Sequence, residues 1–183
     1  MKCMNFTTSF CAFHFKFLFL HAKQDVQKMN VRYLILYITW MLFPLGLQAQ
    51  MAPNFTISDK EGNEVSLSAL RGKYVLLDFW GTWCQACMKE LPDMKRFHKK
   101  HREELVIISV DCHDEERAWK EIVEDYKLKW TQVRDTKENS LAEKYGVSVF
   151  PTKFLIDPDG KILFRLNGEN KQFFKMKWKK DVK

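Results

Sequence analysis

The sequence predicts an α/β fold, a central mixed β-sheet flanked by helices and preceded by an N-terminal β-hairpin, and three observations carry that expectation. Two continuous apolar runs, residues 74–80 (YVLLDFW) and 105–110 (LVIISV), have the composition of strands buried on both faces of a sheet. Each is followed by apolar residues at helical spacing: Cys87, Leu91, Met94 and Phe97 after the first, Trp119, Ile122, Val123 and Tyr126 after the second. Near the end, Asp157-Pro-Asp-Gly160 is a turn between two further apolar stretches, the pattern of a closing hairpin. Strands that alternate with helices and finish on a hairpin give a mixed sheet with helices on its faces.

Taken in order, Phe55-Thr-Ile and Val65-Ser-Leu are short alternations separated by the turn-rich Asp59-Lys-Glu-Gly62-Asn63, which predicts the first hairpin. A helix is expected from about Cys84, a second through residues 119–126, a short strand at 130–134 and a short helix around 141–145. The run 147–157 crosses Pro151, and 162–166 returns as its hairpin partner. The last stretch, 168–183, is expected to form a basic helix with Phe174 and Trp178 on one side. There is no internal repeat and no low-complexity linker.

A chain of 183 residues, 46% hydrophobic, can bury the core of one ordinary domain but hardly of two. Its net charge of +7 is concentrated at the ends: residues 1–50 carry +4 and residues 165–183 carry +5, which leaves −2 between them. A continuous cationic face is therefore missing, and nucleic acid is not an expected partner. Residues 31–47 are apolar apart from Arg32, follow Lys28, and end near the small residue Ala49, which is the plan of a secretory signal peptide. We expect a signal peptide over 29–49 cleaved after Ala49, with an uncleaved membrane anchor as the alternative. Residues 1–28 fit no part of that plan and are read as an upstream extension, the true start being Met29. The folded domain is then 50–183.

The chemistry centres on Cys84-Gln85-Ala86-Cys87, where a buried strand gives way to a helix. The unsatisfied N–H groups and dipole of a helix N-terminus favour a thiolate at Cys84, and Cys87 lies one turn away, within reach of a disulfide. Attack by Cys84 on a partner disulfide and resolution by Cys87 is the expected exchange. The other readings are a structural staple, which removes little entropy over so short a loop, and half of a zinc site, which lacks a second cysteine pair. Two acids are candidates to move protons. Asp78 interrupts an apolar strand, where burial would raise its pKa and suit it to take the proton of Cys87; its alternative is a core carboxylate satisfied by a neighbouring hydroxyl or water. Glu90 is one turn beyond Cys87; its alternative is a solvated helix face.

The segment Phe79-Trp80-Gly81-Thr82-Trp83-Cys84-x-x-Cys87-x-x-Glu90-x-Pro92, with Phe150-Pro151-Thr152 and Phe154-Leu-Ile-Asp-x-x-Gly160, resembles the thioredoxin superfamily, and within it the exported proteins of the TlpA type. The resemblance spans about residues 51–167. It implies a thioredoxin-like fold, a cis Pro151 facing the cysteines, and a substrate site formed by Trp83, Phe150 and Pro151. We further expect protein thiol or disulfide substrates, a monomer, no cofactor, and action in the cell envelope as a reductase, which in an oxidising compartment needs a membrane-bound electron donor; an oxidase, which needs none of that kind, is the other direction the residues leave open. The chain departs from the group in having Ala86 where proline usually precedes the second cysteine and Val149 where glycine is usual. Peroxiredoxins share the approach Leu70-Arg-Gly-Lys-Tyr-Val, but the proline of their catalytic loop is missing here, so peroxide reduction is not expected.

Cys112-His113 follows the second buried strand, on the same sheet edge as Cys84. The plain reading is a small buried residue and an exposed loop histidine. The sharper one is a copper(I) or soft-metal chaperone using Cys84, Cys87 and His113. His98 and His101, among Lys99, Lys100 and Arg102, are read as a solvated helix face.

Overall fold

The computed structural model describes residues 50–176. The expectations on residues 1–49 and on Trp178 lie outside the described residues. Five strands form the central sheet: β3 (Tyr74–Trp80), β4 (Leu105–Asp111), β5 (Thr131–Arg134), β6 (Thr152–Ile156) and β7 (Ile162–Asn167), in the order β5-β4-β3-β6-β7. β3, β4 and β5 run parallel, whereas β6 and β7 run antiparallel to their neighbours, so the sheet is mixed. β1 (Thr56–Ser58) and β2 (Glu64–Ser66) make the separate N-terminal hairpin.

Side chains alternate across a strand, and β3 uses this to serve two cores. Leu76 and Trp80 face α1 (Gln85–His101) and α2 (Glu116–Asp125) with Leu91, Met94, Phe97, Trp119 and Val123. Val75, Leu77 and Phe79 face Phe55, Phe154, Tyr145 and Leu141 of α3 (Leu141–Lys144). Each of these large side chains, once buried, contributes about 1.5–3 kcal/mol. Asp78 has the parity of Leu76 and Trp80, so the strand itself directs its carboxyl toward α1.

Helix α1 starts where it does because Cys84 takes an extended backbone (φ −86°, ψ 100°) and its sulfur accepts the N–H of Cys87 at 3.2 Å, an N-cap by sulfur. His98, Lys99, Lys100 and His101 in the last turn complement the dipole at the other end.

Three expectations need correction. Tyr126 is the residue that ends α2, and it lies 37% exposed rather than in the apolar stripe. His98 and His101 are not a solvated face. His101 is buried with its ring 4.7 Å from Phe97, and His98 lies 5.4 Å from Trp130; burial lowers the pKa of both. The third concerns the end of the chain, where residues 168–176 form a turn rather than the start of a helix. Gly168 adopts φ +77°, and Asn170 Oδ1 captures the Phe173 N–H, so only one 3₁₀ turn forms at Phe173–Lys175. Phe173, not Phe174, is its fully buried anchor, against Phe97 and Phe164.

Candidate active site

β3 delivers the chain to the sheet edge, and Gly81 turns it toward α1. A Cβ at Gly81 would stand 2.4 Å from Trp83 Nε1, so only glycine lets the indole lie back over the turn. That indole donates to the carbonyl of Cys112 at 2.9 Å. Cys84 and Cys87 then meet as a disulfide, with Cα atoms 5.2 Å apart. Both cysteines are buried, and Cys84 is the outer residue of the pair, 7% exposed against 3% for Cys87.

The Phe150–Pro151 bond is cis. Trp83 packs edge-on to Phe150 with ring centroids 5.2 Å apart, and His113 stands 6.2 Å from Trp83 and 6.0 Å from Phe150. Trp83 and Val149 are half exposed. The three residues expected at a substrate site, Trp83, Phe150 and Pro151, are thus gathered beside the cysteines, with Val149 adding to an apolar rim.

Asp78 and Glu90 both lie on the inner side of the pair, 5% and 4% exposed, so Glu90 is not on a solvated face. The residue that brings them together is Lys153. β6 pairs antiparallel with β3 in a register that sets Lys153 opposite Asp78. Its ammonium lies 3.1 Å from Asp78 Oδ1, an ion-pair distance without hydrogen-bond alignment, and donates to Glu90 Oε2 at 2.5 Å. Burial alone would depress the Lys153 pKa, but the two carboxylates outweigh it and raise it, so the lysine stays charged. Ser109 donates to Asp78 Oδ2 and in turn accepts the Trp130 indole N–H; Glu90 Oε1 accepts the Asn170 N–H. Asp78, Glu90, Lys153, Cys87 and Pro151 line one small cavity of about 10 Å³, close to the least space that holds a water.

Lys153 was missed in the sequence. The signal was a lysine in the run Thr-Lys-Phe-Leu-Ile, a cation in a strand otherwise fit for burial, and a buried cation needs an anion opposite.

The metal-binding alternative does not assemble. Among the described residues no three His, Cys, Asp or Glu side chains are grouped to hold a metal ion. His113 instead stacks near Trp83, and Cys112 is fully buried with its thiol toward Val110 O. Burial, with Asp135 and Asp111 nearby, pushes the Cys112 thiol pKa up, so it remains protonated. Among the described residues, no helix is long and apolar enough to cross a membrane.

Comparison with known proteins agrees with this geometry. Residues 49–165 match the model of the AhpC/TSA family. Over 119 residues the chain is 43% identical to thiol–disulfide oxidoreductase ResA of Bacillus thuringiensis, covering 64% of this chain and 68% of that protein. ResA of Bacillus subtilis is 38% identical over 118 residues, 64% of this chain and 65% of its own length. Among solved structures, the thioredoxin domain of a thiol–disulfide oxidoreductase from Bacteroides vulgatus superposes with a TM-score of 0.61 at 36% identity, covering 66% of this chain and 89% of that one. A thiol:disulfide interchange protein from a Bacteroides species gives a TM-score of 0.64 at 33% identity, with 74% and 90% covered. A strand-to-helix junction bearing a cysteine pair, a cis proline beside it and this degree of likeness have one reading: the chain belongs to the AhpC/TSA family and, within it, to the thioredoxin-like thiol–disulfide oxidoreductases related to ResA.

Proposed function

We propose that this protein is an exported reductase of the cell envelope that reduces protein disulfides through the Cys84–Cys87 couple. The observation that carries the reading is the placement of the two sulfurs. Cys84 is the outer one and caps a helix N-terminus, where backbone N–H groups and the helix dipole stabilise a thiolate. Cys87 is the inner one and shares a cavity with two carboxyls and their lysine.

In the reduced protein, the Cys84 thiolate attacks one sulfur of a client disulfide. A mixed disulfide forms, and the other client sulfur leaves as a thiolate. Asp78 and Glu90, paired through Lys153, take up the proton of Cys87. The resulting thiolate attacks Cys84, releases the second client sulfur and closes the Cys84–Cys87 disulfide, so two electrons have passed to the client. The base sits where the resolving step needs it, because that step requires deprotonation at Cys87. Trp83, Phe150 and Pro151, with Val149, form the rim against which an extended client segment docks. An oxidising compartment returns the couple to the disulfide, so a membrane-bound donor is required to regenerate it. Residues 29–49 are the export signal in this reading.

The test uses a model protein disulfide and two variants. Cys87→Ser accumulates a mixed disulfide through Cys84, while Cys84→Ser forms none. Trapping through Cys87 in the Cys84→Ser protein would overturn the assignment of nucleophile. Fractionation of the native host checks the location, where a mature N-terminus at Gln50 in the envelope fraction is expected.

A further inference from the structure

The buried lysine of the active site has a neighbour that the mechanism above does not use. Lys153 lies with its side chain 3% exposed, 3.1 Å from Asp78 and 2.5 Å from Glu90. An ammonium carries three N–H groups and gives up its hydration when buried, so the groups that face it must replace the water. The two carboxyls do so in part. The ring of Phe174 offers a further face, with Lys153 Nζ over it at 5.8 Å from the centroid, within the range over which an aromatic quadrupole attracts a cation.

Phe174 comes from far along the chain, and a series of contacts brings it there. Gly168, which follows β7, adopts φ +77° and gives its N–H to the carbonyl of Pro151 at 2.7 Å. Two residues on, the Asn170 N–H donates to Glu90 Oε1 at 2.8 Å. Asn170 Oδ1 then accepts the Phe173 N–H at 3.1 Å and starts the turn Phe173–Lys175. Phe173 enters the core, while Phe174 stays half-buried, 5.2 Å from the ring of Phe173 and 6.0 Å from that of Phe97 on α1. Rings nearly perpendicular at these spacings hold one another in orientation.

Residues 168–174 therefore touch the cis-proline loop, α1 through Glu90, and β6 through Lys153. Glu90 has one oxygen on the lysine and the other on the backbone of this segment. A carboxyl bonded at both oxygens is held in one orientation, and here that orientation sets it in the small cavity it shares with Cys87.

We propose that Phe174 is a positioning residue for proton transfer at Cys87: its ring holds the Lys153 ammonium in place, and through it the two carboxyls, while the turn that carries it pins Glu90. The proposal rests on the oxidoreductase reading above and adds a dependence of the resolving step on the C-terminal turn. Proton transfer needs acceptor and thiol within hydrogen-bond reach, directly or through one water. An ammonium freed from the ring moves toward solvent on its flexible stem and takes Glu90 Oε2 with it. Attack by Cys84 is spared, because that thiolate is stabilised by the helix N-terminus it caps.

The experiment compares wild type, Phe174→Leu and Phe174→Tyr as full chains, with a disulfide-bonded peptide as client. Leucine keeps apolar volume and removes the ring; tyrosine keeps the ring face. Single-turnover kinetics of the reduced proteins separate formation of the mixed disulfide from its resolution. Phe174→Leu slows resolution about tenfold and changes formation by less than about twofold, and Phe174→Tyr recovers most of the loss. In the oxidised proteins, where neither cysteine titrates, exchange of the Lys153 ammonium protons with water, followed by NMR, is about tenfold faster in Phe174→Leu than in wild type or Phe174→Tyr. Equal slowing of both steps overturns the proposal, as does resolution by Phe174→Leu at the wild-type rate. So does a Phe174→Tyr protein no better than Phe174→Leu, since the ring face would then hold nothing. The function fails separately: no exchange with the peptide by wild type rejects the oxidoreductase reading, while the ammonium protons still report whether Phe174 holds Lys153.

Discussion

Buried carboxyls stand on two sides of the active-site loop, Asp78 and Glu90 on one and Asp111 on the other, and they meet the cost of burial in opposite ways. Asp78 and Glu90, behind Cys87, are given a cation: Lys153 lies between them, buried as deeply as they are. Asp111, at the end of β4, has no cation in bonding distance among the described residues, and burial raises its pKa to about 9, so it is neutral at pH 7. Carboxyls paired with a lysine and set beside Cys87 are placed to accept a proton when that thiol offers one. A carboxyl that already keeps its proton has no charge with which to take up another. The difference favours the first site as the proton acceptor in the proposed mechanism.

Removing the charge from each site separates them most sharply. Lys153→Met leaves two buried carboxylates without a partner and is expected to destabilise the fold by about 3–5 kcal/mol, the cost of breaking a buried ion pair from one side. Urea titration at pH 7 measures it, and a change under 1 kcal/mol would mean that the acids are already neutral.

At the other site the sign reverses. Asp111 ionises near 3.8 when exposed and at about 9 in the fold, so between those values the folded state alone carries the proton. Stability therefore falls as pH rises through that window and levels off above it. Asp111→Asn removes the slope and stabilises the protein by up to about 4 kcal/mol at pH 7. The gain grows from pH 5 to pH 8 by at most about 1.4 kcal/mol per unit, and a gain independent of pH would contradict a protonated Asp111.

A smaller effect is expected on rate alone. Asp78→Asn keeps the shape and the Ser109 contact but removes a proton acceptor, and should slow resolution of the mixed disulfide about a hundredfold, roughly 2.7 kcal/mol. Initial attack by Cys84 is unaffected, so single-turnover kinetics distinguish the steps; equal slowing of both would assign Asp78 a structural role. Least of all, His113→Gly relieves a left-handed backbone and should change stability by under about 1 kcal/mol, with thermal unfolding as the readout.

The same comparison shows what a sequence makes legible. The strands at 74–80 and 105–110 stood out because a buried strand must be apolar on both faces, and the cysteine pair stood out because its spacing is the chemistry. Phe150-Pro151-Thr152 was readable through resemblance. Lys153 escaped because its meaning depends on strand register: only the antiparallel pairing of β6 with β3 sets it against Asp78. Asp114 escaped for a related reason, since a polar loop residue carries no mark of what it holds, here the N–H and hydroxyl of Thr82. His101 was misread although it continues the stripe of Leu91, Met94 and Phe97 by one more turn; its neighbours' charges concealed the period. The turn at 173–175 was read as helix because composition does not register a side-chain cap such as Asn170.

The central claim is that Cys84 and Cys87 form a working redox couple that reduces its clients. Equilibrating the protein with glutathione or dithiothreitol buffers and measuring the fraction oxidised tests it most directly. The account predicts a reversible two-electron couple near the potential of reducing thioredoxins, about −270 mV. A value near −120 mV, typical of a strong oxidant, would reverse the direction of electron flow, and no reversible couple at all would contradict the claim itself.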